Sequence, residues 1–195
     1  MNDFFLNLGL SWTLSKALPY GLMLILGAVL FFAFRRKLKR SWLKWLNSLV
    51  LLIPFAAYFA MNPIYEGDFS NESREMKAEM SFGLKKNELT VLAIPGCPFC
   101  AESIQDLNKI ATRTGVDRIN FVVFTSDQEM LKPYAKLAGS QIEMSIEEDF
   151  SLYATITQGR FPTFVYSDGS SLRIWSNDGF GVRAKDWLEN ELSNE

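Results

Sequence analysis

The chain has 195 residues, with 20 Lys and Arg, 22 Asp and Glu and no histidine, which excludes imidazole acid–base catalysis, His metal sites and Ser–His–Asp triads. The near-neutral total conceals two unlike halves: residues 1–64 carry seven basic residues and one acid, Asp3, whereas residues 65–195 carry 13 basic and 21 acidic residues. Such an asymmetry places the halves in different surroundings, and the acidic half excludes a nucleic-acid partner, whose phosphates require a clustered basic face.

In chain order, the first element is the uncharged run Ala17 to Phe34 (ALPYGLMLILGAVLFFAF). As a helix its length is about 27 Å, close to the roughly 30 Å hydrocarbon core of a bilayer. A second apolar run, Trp45 to Met61, is interrupted by Asn47 and Ser48 and contains Pro54, a kink that membrane helices tolerate. Residues 1–64 are therefore expected to form a membrane hairpin with spans at about 17–34 and 45–61. The alternative, two buried helices of a soluble protein, demands more core than so small a domain offers. A cleaved signal peptide fits poorly, because the positive charge follows the first span instead of preceding it. That charge is the loop 35–44, RRKLKR followed by Lys44. The positive-inside rule makes it cytoplasmic, and binding to anionic lipid leads to the same orientation. Both termini and everything after Met61 are then expected outside the cytoplasm. Phe4, Phe5, Leu8 and Trp12 read either as an interfacial segment or as an extension of the first helix.

Residues 65–87 are polar and mixed in charge, a linker with a helical piece expected around Glu72 to Met80. An α/β domain is expected over 88–195. LTVLAI (Leu89–Ile94) has the character of a buried strand. After PGCPFC, the residues Cys100, Ile104, Leu107, Ile110 and Ala111 recur at helical spacing, and Gly115 is a suitable stop. Both cysteines thus fall at a helix start directly after a strand, with Pro98 near the first helical position. INFVVF (Ile119–Phe124) is a second buried strand. Ser126 with Glu129, and Ser145 with Glu148, read as capping boxes opening further helices, the latter ahead of Phe150–Ile156. FPTFVY-SDGS-SLRIWS reads as a hairpin turning at Asp168-Gly169, and Arg183–Leu192 as a closing amphipathic helix. A mixed sheet covered on both faces is the natural packing.

Two cysteines separated by two residues on the first turn of a helix close a ring that opens and reforms with little rearrangement. The helix N-terminus supplies free N–H groups and a positive dipole end, both of which favour thiolate. Cys97 is expected to be the exposed, attacking sulfur and Cys100 the shielded, resolving one. Three other readings stand beside redox work. A structural disulfide closing so short a loop constrains little chain. A zinc site needs four ligands, which two cysteines without histidine supply only across a dimer. The third is coincidence, against which the position after a strand and at a helix start argues. No metal or cofactor is expected.

Strand–PGCPFC–helix, followed by FPTF opening a hairpin and a closing helix, resembles the thioredoxin superfamily over about residues 88–195. The resemblance implies that Pro162 is the cis-proline facing the cysteine pair and that the backbone of Phe161 pairs with an incoming peptide. The residues themselves also permit Pro162 as an ordinary strand-start proline. Membrane attachment and the helical sequence inserted before Pro162 are similar to the membrane-anchored, extracytoplasmic TlpA-like thioredoxins of bacteria, which implies a bacterial inner membrane with both termini and the domain on its periplasmic side. The chain departs from thioredoxin in having Pro-Phe between the cysteines, Gly96 where that family has tryptophan, and Val91 where it has a buried acid. The implied function is a membrane-anchored thiol–disulfide oxidoreductase acting on protein thiols or disulfides outside the cytoplasm, as a reductant or isomerase. Both cysteines lie outside the spans, so a separate membrane or extracytoplasmic redox partner is expected. Two other readings remain open. One is a non-catalytic docking or assembly subunit of a membrane complex. The other is a copper-delivery module, for which the usual C-x-x-x-C and histidine are missing.

Overall fold

The computed structural model of the chain describes residues 2–37, 41–77 and 83–193. The chain divides into two units, Met1–Glu66 and Gly67–Glu195.

The first unit consists of α1 (Asn2–Asn7), α2 (Trp12–Lys37), α3 (Ser41–Val50) and α4 (Ile53–Met61). Among the described residues one helix, Trp12–Arg36 within α2, is long and apolar enough to cross a bilayer. The second run is not the continuous span expected at 45–61. It breaks at Leu51–Leu52, because Pro54 sits in the first turn of α4. There its missing N–H costs nothing, whereas inside a continuous helix its ring would strike the carbonyl of Val50. The two pieces nevertheless run back along α2. Asn47 Nδ2 donates to the Phe31 carbonyl at 2.9 Å, and the Tyr20 hydroxyl donates to the Asn62 carbonyl at 2.6 Å. Between these anchors Gly27 lies against the Leu51 carbonyl so closely that a Cβ would collide with it. Of the basic loop, Arg35–Lys37 close α2, Ser41 opens α3, and residues 38–40 lie outside the described residues.

In the second unit the elements are β1 (Ser73–Lys77), β2 (Glu88–Ala93), α5 (Pro98–Thr114) and β3 (Ile119–Phe124). A 3₁₀ turn (Gln128–Leu131) then runs into α6 (Lys132–Ala135), followed by β4 (Ile142–Glu147). A second 3₁₀ turn (Phe150–Tyr153) runs into α7 (Ala154–Thr157), and β5 (Thr163–Ser167), β6 (Ser171–Ser176) and α8 (Val182–Ser193) complete the chain. The strands form one sheet in the order β1-β6-β5-β2-β3-β4. β2, β3 and β4 are parallel to one another, while β5 is antiparallel to β2, β6 to β5 and β1 to β6. β2 is buried along its whole length, as a strand with neighbours on both sides and layers on both faces must be. One layer contains Leu92, Val122, Val165, Leu172 and Ile174 under Tyr153 and Ile156. On the other, Phe180 stacks on Phe164 at 3.9 Å, and Trp187 of α8 meets Tyr166 and Trp175 at 5.4 Å each.

Three expectations are corrected here. The segment read as a linker with a helical piece forms β1, a strand over Ser73–Lys77 paired with β6; residues 78–82 lie outside the described residues. Ser145 is not a cap. It lies in β4 and donates to Asn120 Oδ1 at 2.8 Å. Nor is Ser126: the caps are Asp127, accepting from the Glu129 N–H at 2.9 Å, and Asp149, accepting from the Ser151 N–H at 2.9 Å. Each Asp stands immediately before its turn, where its carboxylate reaches an orphan N–H two residues on.

The second unit therefore begins well before residue 88. The Asp68 carbonyl accepts from the Val182 N–H at 2.9 Å and the Ser70 carbonyl from the Ala184 N–H at 3.3 Å, satisfying donors at the start of α8. Asn71 Oδ1 accepts from the Trp175 indole at 2.9 Å. Gly181 packs on the backbone of Gly67 to Ser70 with no room for a Cβ. A chain beginning at Gly67 should unfold cooperatively in urea, whereas one beginning at Glu88, without β1 and these acceptors, should unfold at lower urea. Gly181→Ala in the longer chain should cost about 1–3 kcal/mol in the same titration. Equal midpoints for the two chains would show that residues 67–87 contribute nothing to the fold.

Candidate active site

The parallel strands β2, β3 and β4 all end at one end of the sheet, and the chain leaves β2 there through Ile94, Pro95 and Gly96. Gly96 has φ +71°, a left-handed conformation that a bulky side chain rarely adopts. The tryptophan of the resembled family is thus replaced by a residue suited to this turn. Cys97 follows as the N-cap of α5, in extended conformation, with Pro98 in the first turn. Its Sγ accepts from the Cys100 N–H at 3.1 Å, so one of the helix's orphan donors is aimed at sulfur. The two cysteines are joined as a disulfide with Cα atoms 5.3 Å apart. Cys100 is fully buried, whereas Cys97 is only half-buried. Apolar side chains surround this end: Phe99 and Ile94 are exposed, at 56% and 36%.

Tyr134 holds the loop before Cys97 in place. Its hydroxyl accepts from the Cys97 N–H at 3.1 Å and donates to the Ile94 carbonyl at 2.8 Å. Its ring packs on Phe121, centroids 5.4 Å apart, and the side chain is nearly inaccessible. Sequence reasoning missed Tyr134, because a residue 37 positions from Cys97 in a short helix after Pro133 carries no local signal.

Pro162 is buried, and the Phe161–Pro162 peptide bond is cis. The register pairs Leu92 with Thr163, which brings Pro162 level with Ala93, four residues ahead of Cys97. Cysteine pair and proline therefore share one end of the sheet. Phe161 is half-buried, and its ring lies 6.1 Å from Phe124 at the end of β3 and 5.9 Å from Phe150. Among the described residues its backbone makes no hydrogen bond. Thr163 Oγ1 donates to the Arg160 carbonyl at 2.5 Å and closes the loop around Pro162. Phe124 and Phe150 were not singled out from sequence, since each reads as an ordinary apolar residue of its element. No cluster of three or more metal-ligating side chains occurs among the described residues.

A central β2 runs parallel to β3 and antiparallel to β5, with a cysteine pair at the following helix start and a proline entering β5 beside it. The fold is thioredoxin-like. That assignment rests on the chain's own sheet order and register. No protein-family model and no curated protein matches the sequence. Among solved structures, a secreted disulfide oxidoreductase of Mycobacterium tuberculosis, homologous to E. coli DsbE, is 20% identical. That likeness covers 58% of this chain and 86% of the other, with a TM-score of 0.40. A thioredoxin-like protein from Bacteroides caccae is 12% identical over 73% of this chain and 61% of its own, with a TM-score of 0.36.

Removing the Tyr134 hydroxyl leaves a carbonyl and an N–H unpaired in a shielded place. Tyr134→Phe should therefore cost about 1–3 kcal/mol and speed hydrogen exchange at the Cys97 amide. Unchanged protection of that amide would show that something other than the hydroxyl holds the loop.

Proposed function

We propose that this chain is a membrane-anchored thiol–disulfide oxidoreductase that exchanges disulfides with protein substrates outside the cytoplasm. The observation that carries the reading is the unequal placement of the two sulfurs on one helix turn: Cys97 half-exposed at the N-cap, Cys100 buried behind it. In the reduced protein the Cys100 N–H and the dipole of α5 stabilise a Cys97 thiolate. That thiolate attacks a substrate disulfide, forming a mixed disulfide at Cys97 Sγ and releasing one substrate thiolate. The Cys100 thiolate then attacks Cys97 Sγ, forming the Cys97–Cys100 disulfide and releasing the second substrate sulfur. Two electrons pass from the dithiol to the substrate, and a separate dithiol partner must return them. The free backbone of Phe161, beside Pro162, supports its role as the strip on which a substrate segment is held.

The direction follows from how strongly thiolate is favoured. Phe99 between the cysteines offers neither charge nor hydrogen bond, so the helix terminus works largely alone. The potential should fall between about −270 and −180 mV, the range of a reductant or isomerase, in a glutathione or dithiothreitol equilibration. A value near −120 mV would make the protein a disulfide donor.

The anchor in this reading is α2 together with α3 and α4, which return along it, so that the basic residues from Arg35 onward lie on the cytoplasmic side and the chain after Met61 lies outside. A membrane-impermeant thiol reagent should label reduced Cys97 in spheroplasts; labelling only after lysis would place the domain inside. The decisive test of the activity uses two variants. Cys97→Ser should abolish exchange, while Cys100→Ser should accumulate mixed disulfides visible on a non-reducing gel. Absence of mixed disulfides in Cys100→Ser would sink the assigned roles and favour a docking subunit.

A further inference from the structure

Beside the loop that carries Pro162, on the β6 side of β5, lies a cavity of about 210 Å³. Thr163 and Ser176, paired across β5 and β6, line it, together with Thr157, Glu72, Arg74 and Arg160. It therefore opens at the same end of the sheet as the cysteine pair.

The two arginines differ in a telling way. Arg74, in β1, is tethered: its guanidinium donates to the Thr155 carbonyl at 3.3 Å and also to the Ile156 carbonyl. Burial holds its pKa below the ordinary value, and the positive charge of Arg160 adds to that. Arg160 is exposed; its backbone bonds Thr157 and Thr163, but its guanidinium makes no hydrogen bond or ion pair among the described residues. Two like charges thus face one hollow, and neither is paired with Glu72, the acid that lines the same space. A guanidinium is a planar fork matched to carboxylate, and hydrogen bonds to an ionised partner are the strong ones. Hydroxyls of Thr157 and Ser176 add short polar partners, and the volume is ample for an acidic side chain. The surrounding domain is acidic, so this pair is a local reversal of its field.

We infer that the cavity between Arg74 and Arg160 receives an Asp or Glu side chain of the substrate polypeptide, and so selects disulfides that lie beside an acidic residue. This rests on the exchange reading above and names its substrate class. Arg160 contributes recognition, not chemistry. Glu72 tempers the attraction, so its removal acts in the opposite sense.

The test uses the full chain in detergent with three synthetic peptides, each closed by one disulfide and carrying Glu, Gln or Lys three residues from a cysteine. The reduced protein should attack the Glu peptide about tenfold faster than the Gln peptide, the scale of one charge-assisted hydrogen bond. The Lys peptide should be slowest. Arg160→Gln should collapse the Glu-to-Gln ratio towards one, and Glu72→Gln should raise it. In a second arm, fluorescence anisotropy follows binding of a labelled Glu peptide with both cysteines replaced by serine. Arg160→Gln should weaken that binding by a similar factor. A Glu-to-Gln ratio unmoved by Arg160→Gln, or equal rates for all three peptides, overturns the inference. Arg160-dependent binding without exchange of any peptide leaves the recognition standing and overturns the exchange reading instead.

Discussion

The contact on which the rest of the site depends is the one between the Cys100 N–H and the Cys97 sulfur. It exists because β2 ends where α5 begins, so that Cys97 takes the N-cap position that Ser, Thr or Asp takes elsewhere. A sulfur so placed is favoured as thiolate by the same unsatisfied donors that make helix N-termini bind anions. The hydroxyl of Tyr134 belongs to this arrangement: by accepting from Cys97 and donating to Ile94 it keeps the short loop from rotating the sulfur away. Burial of Cys100 completes it, keeping that sulfur beside Cys97 and shielded from solvent.

The mixed sheet is what gathers the remaining parts. Three parallel strands end together, and β5 enters antiparallel from the same end, so Phe124, Phe161, Pro162 and the Arg74–Arg160 cavity all cluster around the exit of β2. Ligand sites collect at the carboxyl ends of parallel strands for this reason: loops converge there while the core stays closed. The aromatic side offers an apolar surface and the arginine side a charged one, flanking Pro162 from opposite directions across the sheet.

In the first unit a single proline decides the architecture of the second apolar run. Pro54 forces the chain to restart its helix at Ile53, and Gly27 lets α2 come up against the break at Leu51. Polar contacts at both ends of the packing, from Asn47 and from Tyr20, satisfy groups that an apolar medium would otherwise penalise.

What the sequence determined by itself was most of the local structure. The strand before PGCPFC, the helix after it with its Gly115 stop, the strand INFVVF, the hairpin at Asp168-Gly169 and the closing helix all follow from periodicity, Pro and Gly, and each is present. The positions of Cys97, Cys100, Phe161 and Pro162 were legible because they sit in short motifs. β4 was also within reach, since Ile142, Met144 and Ile146 alternate with Glu143, Ser145 and Glu147, but the same residues spell a capping box. β1 was not: SREMK holds one apolar side chain, and only the open edge of β6 makes it a strand. Tyr134, 37 residues from the cysteine it supports, and Arg74, more than 80 from Arg160, came together only through the sheet. Local chemistry is written in neighbouring residues, whereas which distant hydroxyl or guanidinium completes a site is set by strand order, and strand order is decided by packing of the whole chain.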